Sequence, residues 1–132
     1  MKTILFACVH NAGRSQMAEA LFNNLANPQK AKAISAGTHP AHQIHPNIIK
    51  AMSEMGIDIS KAKPKKLTKE MLEGVDLFIT MGCDEDCPYS PHLERKEWQI
   101  SNSYENSLEE TRRIRQELEL FIQGLIKERK FQ

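Results

Sequence analysis

The stretch Thr3-Ile4-Leu5-Phe6-Ala7-Cys8-Val9-His10-Asn11-Ala12-Gly13-Arg14-Ser15-Gln16-Met17-Ala18-Glu19-Ala20-Leu21-Phe22 decides the fold. Residues 3–8 are a near-continuous apolar run with β-branched members, the pattern of a strand buried on both faces. Residues 9–13 are a loop. Met17, Ala18, Leu21, Phe22 and Leu25 then recur at helix spacing, with Glu19, Asn23 and Asn24 on the other face. A strand running through a short loop straight into a helix is the opening unit of a parallel α/β sheet.

The same alternation continues outward. Residues 31–36 predict a second strand ending at Gly37. Pro46 opens a helix with apolar positions Ile48, Ile49, Met52 and Met55, closed by Gly56. Residues 68–73 predict a short helix capped by Thr68, residues 75–81 a third strand and residues 98–100 a fourth. Ser107, with Glu110 three residues on, predicts the capped start of a long amphipathic helix reaching about Lys130. Neither repeats nor a linker interrupt the pattern, so residues 1–132 are expected to form one α/β domain whose mostly parallel sheet is covered on both faces.

Composition narrows the function. Eighteen Lys and Arg face seventeen Asp and Glu, for a net charge of +1. Such a balance argues against nucleic acid as the main partner, since phosphate-backbone binding needs a basic excess. No apolar run approaches the roughly 20 residues of a membrane helix. The start lacks the features of a signal peptide, so a cytoplasmic protein with no membrane partner is expected. Three cysteines, an odd number, point to thiol chemistry rather than a structural disulfide set.

Sheets of this kind place their sites at the carboxyl ends of the strands. Strand one ends at Cys8 and strand three near Cys83, so all three cysteines fall at one edge of the sheet. The loop Cys8-Val9-His10-Asn11-Ala12-Gly13-Arg14-Ser15 suits a tetrahedral oxyanion. Its backbone N–H groups, from Val9 to Ser15, can form an anion nest at a helix N-terminus. Arg14 can clamp two oxygens. The same positive field, with a hydrogen bond from Ser15, favours the thiolate form of a Cys8 nucleophile. Asn11 tolerates the left-handed conformation that a tight loop requires.

Cys8-x5-Arg14-Ser15 followed by Gln16-Met17-Ala18-Glu19-Ala20 resembles the low-molecular-weight protein tyrosine phosphatase superfamily, and more closely its thioredoxin-coupled arsenate reductase branch. Ser35-Ala36-Gly37, Pro46, Gly56-Ile57-Asp58-Ile59-Ser60, Asp76 and Trp98 extend the resemblance over nearly the whole chain. It implies a three-layer domain with a four-stranded parallel sheet and helices on both faces. It also implies that arsenate is reduced to arsenite: Cys8 attacks arsenate, Cys83 resolves the adduct, and Cys87 carries the disulfide to an external thiol reductant such as thioredoxin. The alternative is a phosphatase hydrolysing phosphotyrosine through a Cys8 phospho-enzyme. Arsenate or phosphate is the expected small ligand, and a monomer with no bound cofactor and no metal is expected. Asp84-Glu85-Asp86, between the two distal thiols, should raise the pKa of both.

The sequence departs from the family in places. Asn102-Ser103 stands where an Asp-Pro pair supplies the general acid, and an amide cannot donate a proton as a carboxylic acid does. Glu97 and Glu105 are nearby carboxylates. A tyrosine leaving group depends on such an acid, worth typically about 10²–10⁴-fold, whereas arsenate can carry its own proton. His10 replaces a common Gly, and acts either as a cation near Cys8 or as a packing ring. Gly13 stands where relatives often carry another Cys. Some relatives hold potassium with Asn, Glu, Ser and Asp; here Asn11, Glu19 and Ser35 match and Lys65 takes the fourth place, so its ammonium is expected instead of the ion.

Two weaker patterns complete the reading. His39, His42 and His45 recur every third residue, a spacing open to metal binding, but in a Pro-broken loop without a matching carboxylate they read as a solvated loop. Lys61, Lys63, Lys65 and Lys66 read as a solvated basic loop with some capacity to steer anions. Zinc held by Cys8, Cys83, Cys87 and His92 is disfavoured, because it would consume the nucleophile.

Overall fold

A computed structural model describes residues 1–101 and 107–132. Four strands, β1 (Lys2–Cys8), β2 (Ala31–Gly37), β3 (Leu77–Thr80) and β4 (Glu94–Glu97), form one sheet in the order β2-β1-β3-β4, every pair parallel. Three α-helices accompany them: α1 (Arg14–Leu25), α2 (Pro46–Ser53) and α3 (Leu108–Arg129). The sheet is the four-stranded parallel one that the resemblance implies.

Alternation along the central strand feeds two cores. Ile4 and Phe6 of β1, with Leu77 and Ile79 of β3, pack against Met17, Leu21 and Phe22 of α1, Ile48 and Met52 of α2, and Ile114, Leu118 and Ile122 of α3. Leu5 and Ala7, with Phe78, face the other way and meet Leu67 and Leu72, with Cys83, Cys87 and Leu93 alongside. All three α-helices therefore cover one face. A 3₁₀ helix, Glu70–Gly74, and the loops beside it cover the other.

Four elements differ from the sequence reading. The fourth strand is Glu94–Glu97, not residues 98–100. An edge strand needs no apolar alternation, and here charged side chains do the covering. Glu94 and Lys96 reach Arg129 and Glu128 of α3, while the Arg95 guanidinium lies 5.5 Å from the centre of the Phe78 ring on the opposite face. Trp98, just after the strand, is buried and donates its backbone N–H to the Thr80 carbonyl. The third strand is only Leu77–Thr80, the length of its pairing with β1 and β4. The helix expected at 68–73 is the 3₁₀ turn, with Thr68 Oγ1 accepting from the Met71 N–H. Helix α2 ends at Ser53, and Gly56, at φ +76°, closes the turn beyond it.

The long helix forms as expected. Ser107 Oγ accepts the Glu110 N–H at 3.2 Å, and Lys130 ends the helix in the left-handed conformation. Among the described residues, no helix is long and apolar enough to cross a membrane.

Candidate active site

The loop between β1 and α1 is shaped by what its carbonyls do. Those of Cys8, Val9, His10 and Ala12 accept hydrogen bonds from the N–H groups of Thr38, His39, Ala41 and His45, at 2.8–3.3 Å. A trans peptide points its C=O and the next N–H in opposite directions. Carbonyls turned out toward residues 38–45 therefore turn the N–H groups of Val9, His10, Asn11 and Gly13 inward. The Asn11 N–H shows this directly, meeting Cys8 Sγ at 3.3 Å. Gly13, which precedes α1 without a side-chain cap, leaves the helix N-terminus open toward the same space.

Asn11 is the strut of this loop. It is fully buried and holds φ +51°, the left-handed region its residue type tolerates. Its Oδ1 accepts the Lys65 backbone N–H at 2.9 Å, and a backbone N–H can only donate. The orientation of the amide is thereby settled, so Nδ2 donates to Ser15 Oγ at 2.7 Å and to Ser35 Oγ at 3.1 Å. Ser15, accepting from Asn11, has its own proton free for Cys8 Sγ, 2.9 Å away. Cys8 thus receives two hydrogen bonds on sulfur in a buried place. Gln16 braces the strut, donating Nε2 to Asn11 Oδ1 and to the Lys63 carbonyl. Ser35 in turn donates to Glu19 at 2.8 Å, and the Lys65 ammonium lies 3.8 Å from the same Glu19 oxygen. The Lys65 ammonium thus stands beside Glu19, in the group where the resemblance led it to be expected.

Two glycines let the chain close around the loop. A Cβ on Gly37, at the end of β2, would lie 2.5 Å from the Val9 carbonyl oxygen. Gly82, at φ +75° after β3, faces the Arg14 guanidinium, and a Cβ there would lie 3.3 Å from Nη1. Arg14 Nη1 also donates to the Ile100 carbonyl at 3.2 Å. The fork of Arg14 is thus set between the ends of two segments that follow β3 and β4. Gly82 did not stand out in the sequence, and Gln16 stood out only as part of the family motif. The signal available for Gly82 was its place directly after a buried strand and directly before a cysteine.

Cys83 and Cys87 lie beyond Gly82, half-buried against Leu5, Phe78 and Leu93, and all three cysteines are free thiols. The two distal thiols interact with each other. That interaction, together with burial and the Asp84 carboxylate, pushes the Cys83 thiol up. The same interaction, helped by Arg95, holds the Cys87 thiol below its ordinary value. Asp84 raises both thiols as expected, but at Cys87 the neighbouring Cys83 and Arg95 outweigh it, so the net direction there is down.

The histidine run is also corrected. His39 is not simply solvated: its Nε2 lies 2.7 Å from Asp86 Oδ2 and 3.4 Å from Asp84 Oδ2, carboxylates that come from the cysteine loop. His10 Nδ1 donates to the His39 carbonyl. Of the basic loop, Lys66 Nζ donates to the Thr38 carbonyl at 2.5 Å. Asn102 and Glu105 lie outside the described residues; Glu97 lies in β4, paired with Thr80.

Comparison with known proteins accords with this geometry. The family model of low molecular weight phosphotyrosine protein phosphatase matches residues 3–131. A putative arsenate reductase of Halobacterium salinarum is 30% identical over 127 residues, covering 93% of this chain and 89% of that protein. The thioredoxin-dependent arsenate reductase of Corynebacterium glutamicum is 39% identical with a TM-score of 0.83; the match covers 97% of this chain but only 61% of that longer one. An arsenate reductase in its phosphate-binding state matches over 100% of both chains, at 29% identity and a TM-score of 0.84. The strand-to-helix loop that began as an oxyanion site in the sequence thus belongs to a chain of the low-molecular-weight phosphotyrosine protein phosphatase family.

Proposed function

We propose that this chain is an arsenate reductase that turns arsenate into arsenite with electrons from an external dithiol of the thioredoxin type. The observation that carries this reading is a pair of free, half-buried thiols, Cys83 and Cys87, that begins one residue beyond Gly82, the glycine that faces Arg14. A phosphatase of this fold needs only the loop cysteine, whereas a reductase needs two further electrons, and a thiol pair supplies them.

Arg14 and the inward N–H groups of Val9, His10, Asn11 and Gly13, with the open N-terminus of α1, hold the oxyanion. Cys8 sulfur attacks arsenic, and one oxygen leaves as water with protons from arsenate and solvent. Cys83 sulfur then attacks Cys8 sulfur and passes its proton to Cys87. The As–S electron pair stays on arsenic, which falls from As(V) to As(III) and leaves as arsenite. Cys87, once that proton has passed to solvent, attacks Cys83 as thiolate, releasing Cys8 as thiolate and moving the disulfide to residues 83 and 87. The external dithiol reduces that disulfide, so two electrons pass to arsenic per turnover. The Asn102 side chain cannot replace a carboxylic acid, which handicaps phenolate expulsion more than loss of water from arsenate.

The test is arsenate-dependent NADPH oxidation with thioredoxin and thioredoxin reductase, run beside p-nitrophenyl phosphate hydrolysis. Turnover should be lost in Cys8→Ser, in Cys83→Ser and in Cys87→Ser. No reduction, with hydrolysis that needs Cys8 alone, would replace this reading with that of a phosphatase.

A further inference from the structure

His39, Asp84 and Asp86 belong to two loops far apart in sequence, yet one ligand atom from each lies within 4.8 Å of the others. We propose that these three side chains form a binding site for a divalent ion of the zinc class, which fastens the cysteine loop to the oxyanion loop. Its regulatory half rests on the reductase reading above; its metal-binding half does not.

The donor set is one imidazole nitrogen and two carboxylate oxygens, which suits a borderline ion such as Zn²⁺ better than Ca²⁺ or Mg²⁺. Three ligands around a tetrahedral ion, at bonds of about 2.0–2.2 Å, stand roughly 3.3–3.5 Å apart. His39 Nε2 is already 3.4 Å from Asp84 Oδ2. It is 2.7 Å from Asp86 Oδ2, so that contact must open by less than an ångström. The ion replaces the proton now shared between His39 and Asp86, and that proton moves to Nδ1 or to solvent.

Each ligand is held from behind. Asp84 accepts the Asp86 N–H on Oδ1 at 3.2 Å, which leaves Oδ2 facing His39. The Cys87 N–H bonds the Asp84 carbonyl at 3.1 Å, bending the loop so that both carboxylates stand on one side. His39 donates its N–H to the Val9 carbonyl at 2.8 Å and accepts from His10 Nδ1 at 3.2 Å, so its backbone is part of the oxyanion-loop frame. The side chains are half-exposed, with 54% of His39, 32% of Asp84 and 58% of Asp86 open to solvent, so an ion can enter and solvent water can complete its shell.

The consequence follows from position. Bond formation between Cys83 and Cys8 requires the segment after Gly82 to approach the oxyanion loop. An ion held by Asp84 and Asp86 against His39 fixes the segment that carries both distal thiols. Bound zinc therefore slows arsenate turnover without occupying the oxyanion site, and gives the relay sensitivity to metal load.

The experiment is titration of ZnCl₂ into the full chain carrying Cys8→Ser, Cys83→Ser and Cys87→Ser together, so that no thiol competes. One equivalent should bind. His39→Ala and Asp86→Asn in that background should each weaken binding at least tenfold, while Glu85→Gln, in the same loop but outside the cluster, should leave it unchanged. Should the triple variant misfold, the reduced parent chain loaded with Co²⁺ reads the same site: it should show cobalt d–d bands without thiolate charge transfer. In turnover assays zinc should slow the parent and spare His39→Ala. Failure of the thiol-free chain to bind Zn²⁺, equal binding after His39→Ala, or thiolate charge transfer in the cobalt spectrum would each overturn the site. Absence of arsenate turnover at any metal level would instead sink the reductase reading and leave the titration standing.

Discussion

At the residue scale, the site depends on groups that carry no chemistry of their own. Asn11 turns one backbone donor, the Lys65 N–H, into a defined direction for the Ser15 proton, and so decides what Cys8 sulfur receives. Gly82 plays a comparable part for Arg14. Its φ of +75° is shared with Gly56 at +76°, but a Cβ on Gly56 meets nothing within 4 Å, whereas one on Gly82 presses on the guanidinium. The two glycines therefore separate backbone strain from displacement of Arg14. Gly82→Ala and Gly56→Ala should each lose about 1 kcal/mol of stability by thermal or urea unfolding. Only Gly82→Ala should also raise the KM for arsenate, by roughly tenfold or more, since a charge-assisted hydrogen bond is worth about 1.5–3 kcal/mol. An equal KM in the two variants would show that Arg14 shifts without loss.

At the element scale, α2 and α3 are joined by a clamp at the carboxylate of Glu54, just past the end of α2. Arg112 meets it through Nε and Nη2 at 2.6–3.1 Å, and Arg115 Nη1 at 2.9 Å. Hydrogen bonds from Arg112 and then Arg115 lower its pKa from 4.5 to about 2. The sign follows from linkage. A carboxyl whose folded pKa is depressed adds stability above its unfolded pKa, and loses it as pH falls through the folded value. Glu54→Gln should lower the Tm at pH 7, and the gap between variant and parent should close as pH drops from about 4.5 toward about 2. A gap that persists at low pH would mean the loss comes from packing rather than charge. The same exposure keeps the effect small, as for other solvent-facing ion pairs.

At the scale of the whole molecule, α3 carries the larger core. Leu118 is fully buried, and α3 packs on both α1 and α2, so one side chain serves several layers. Leu118→Ala should cost about 2–5 kcal/mol in urea unfolding, the range for a buried leucine that leaves a cavity. Phe121, on the rim of the same helix and 38% exposed against the Trp98 ring, should cost clearly less. The smaller core on the opposite face is lined in part by Cys83 and Cys87. The redox loop is thus the cover of a hydrophobic cluster as well as a candidate for chemistry, and it can move only by uncovering Phe78 and Leu5.

The order of elements and the candidate oxyanion loop were legible in the sequence. A buried central strand and an amphipathic helix announce themselves by local periodicity, and Cys8, Asn11, Arg14 and Ser15 share one short segment whose spacing is covalently set. The Ser107 cap was legible as well, because a cap is an interaction between near neighbours. Only the tertiary structure decided the fourth strand, whose charged residues 94–97 are explained by α3 and Phe78 rather than by any pattern of their own. It alone brought His39 to Asp84 and Asp86, and Gly82 to Arg14, because these partners lie tens of residues apart and meet only where the carboxyl ends of parallel strands converge. It also brought Arg95 and the smaller core to Cys83 and Cys87, surroundings that a linear run of acidic residues does not contain.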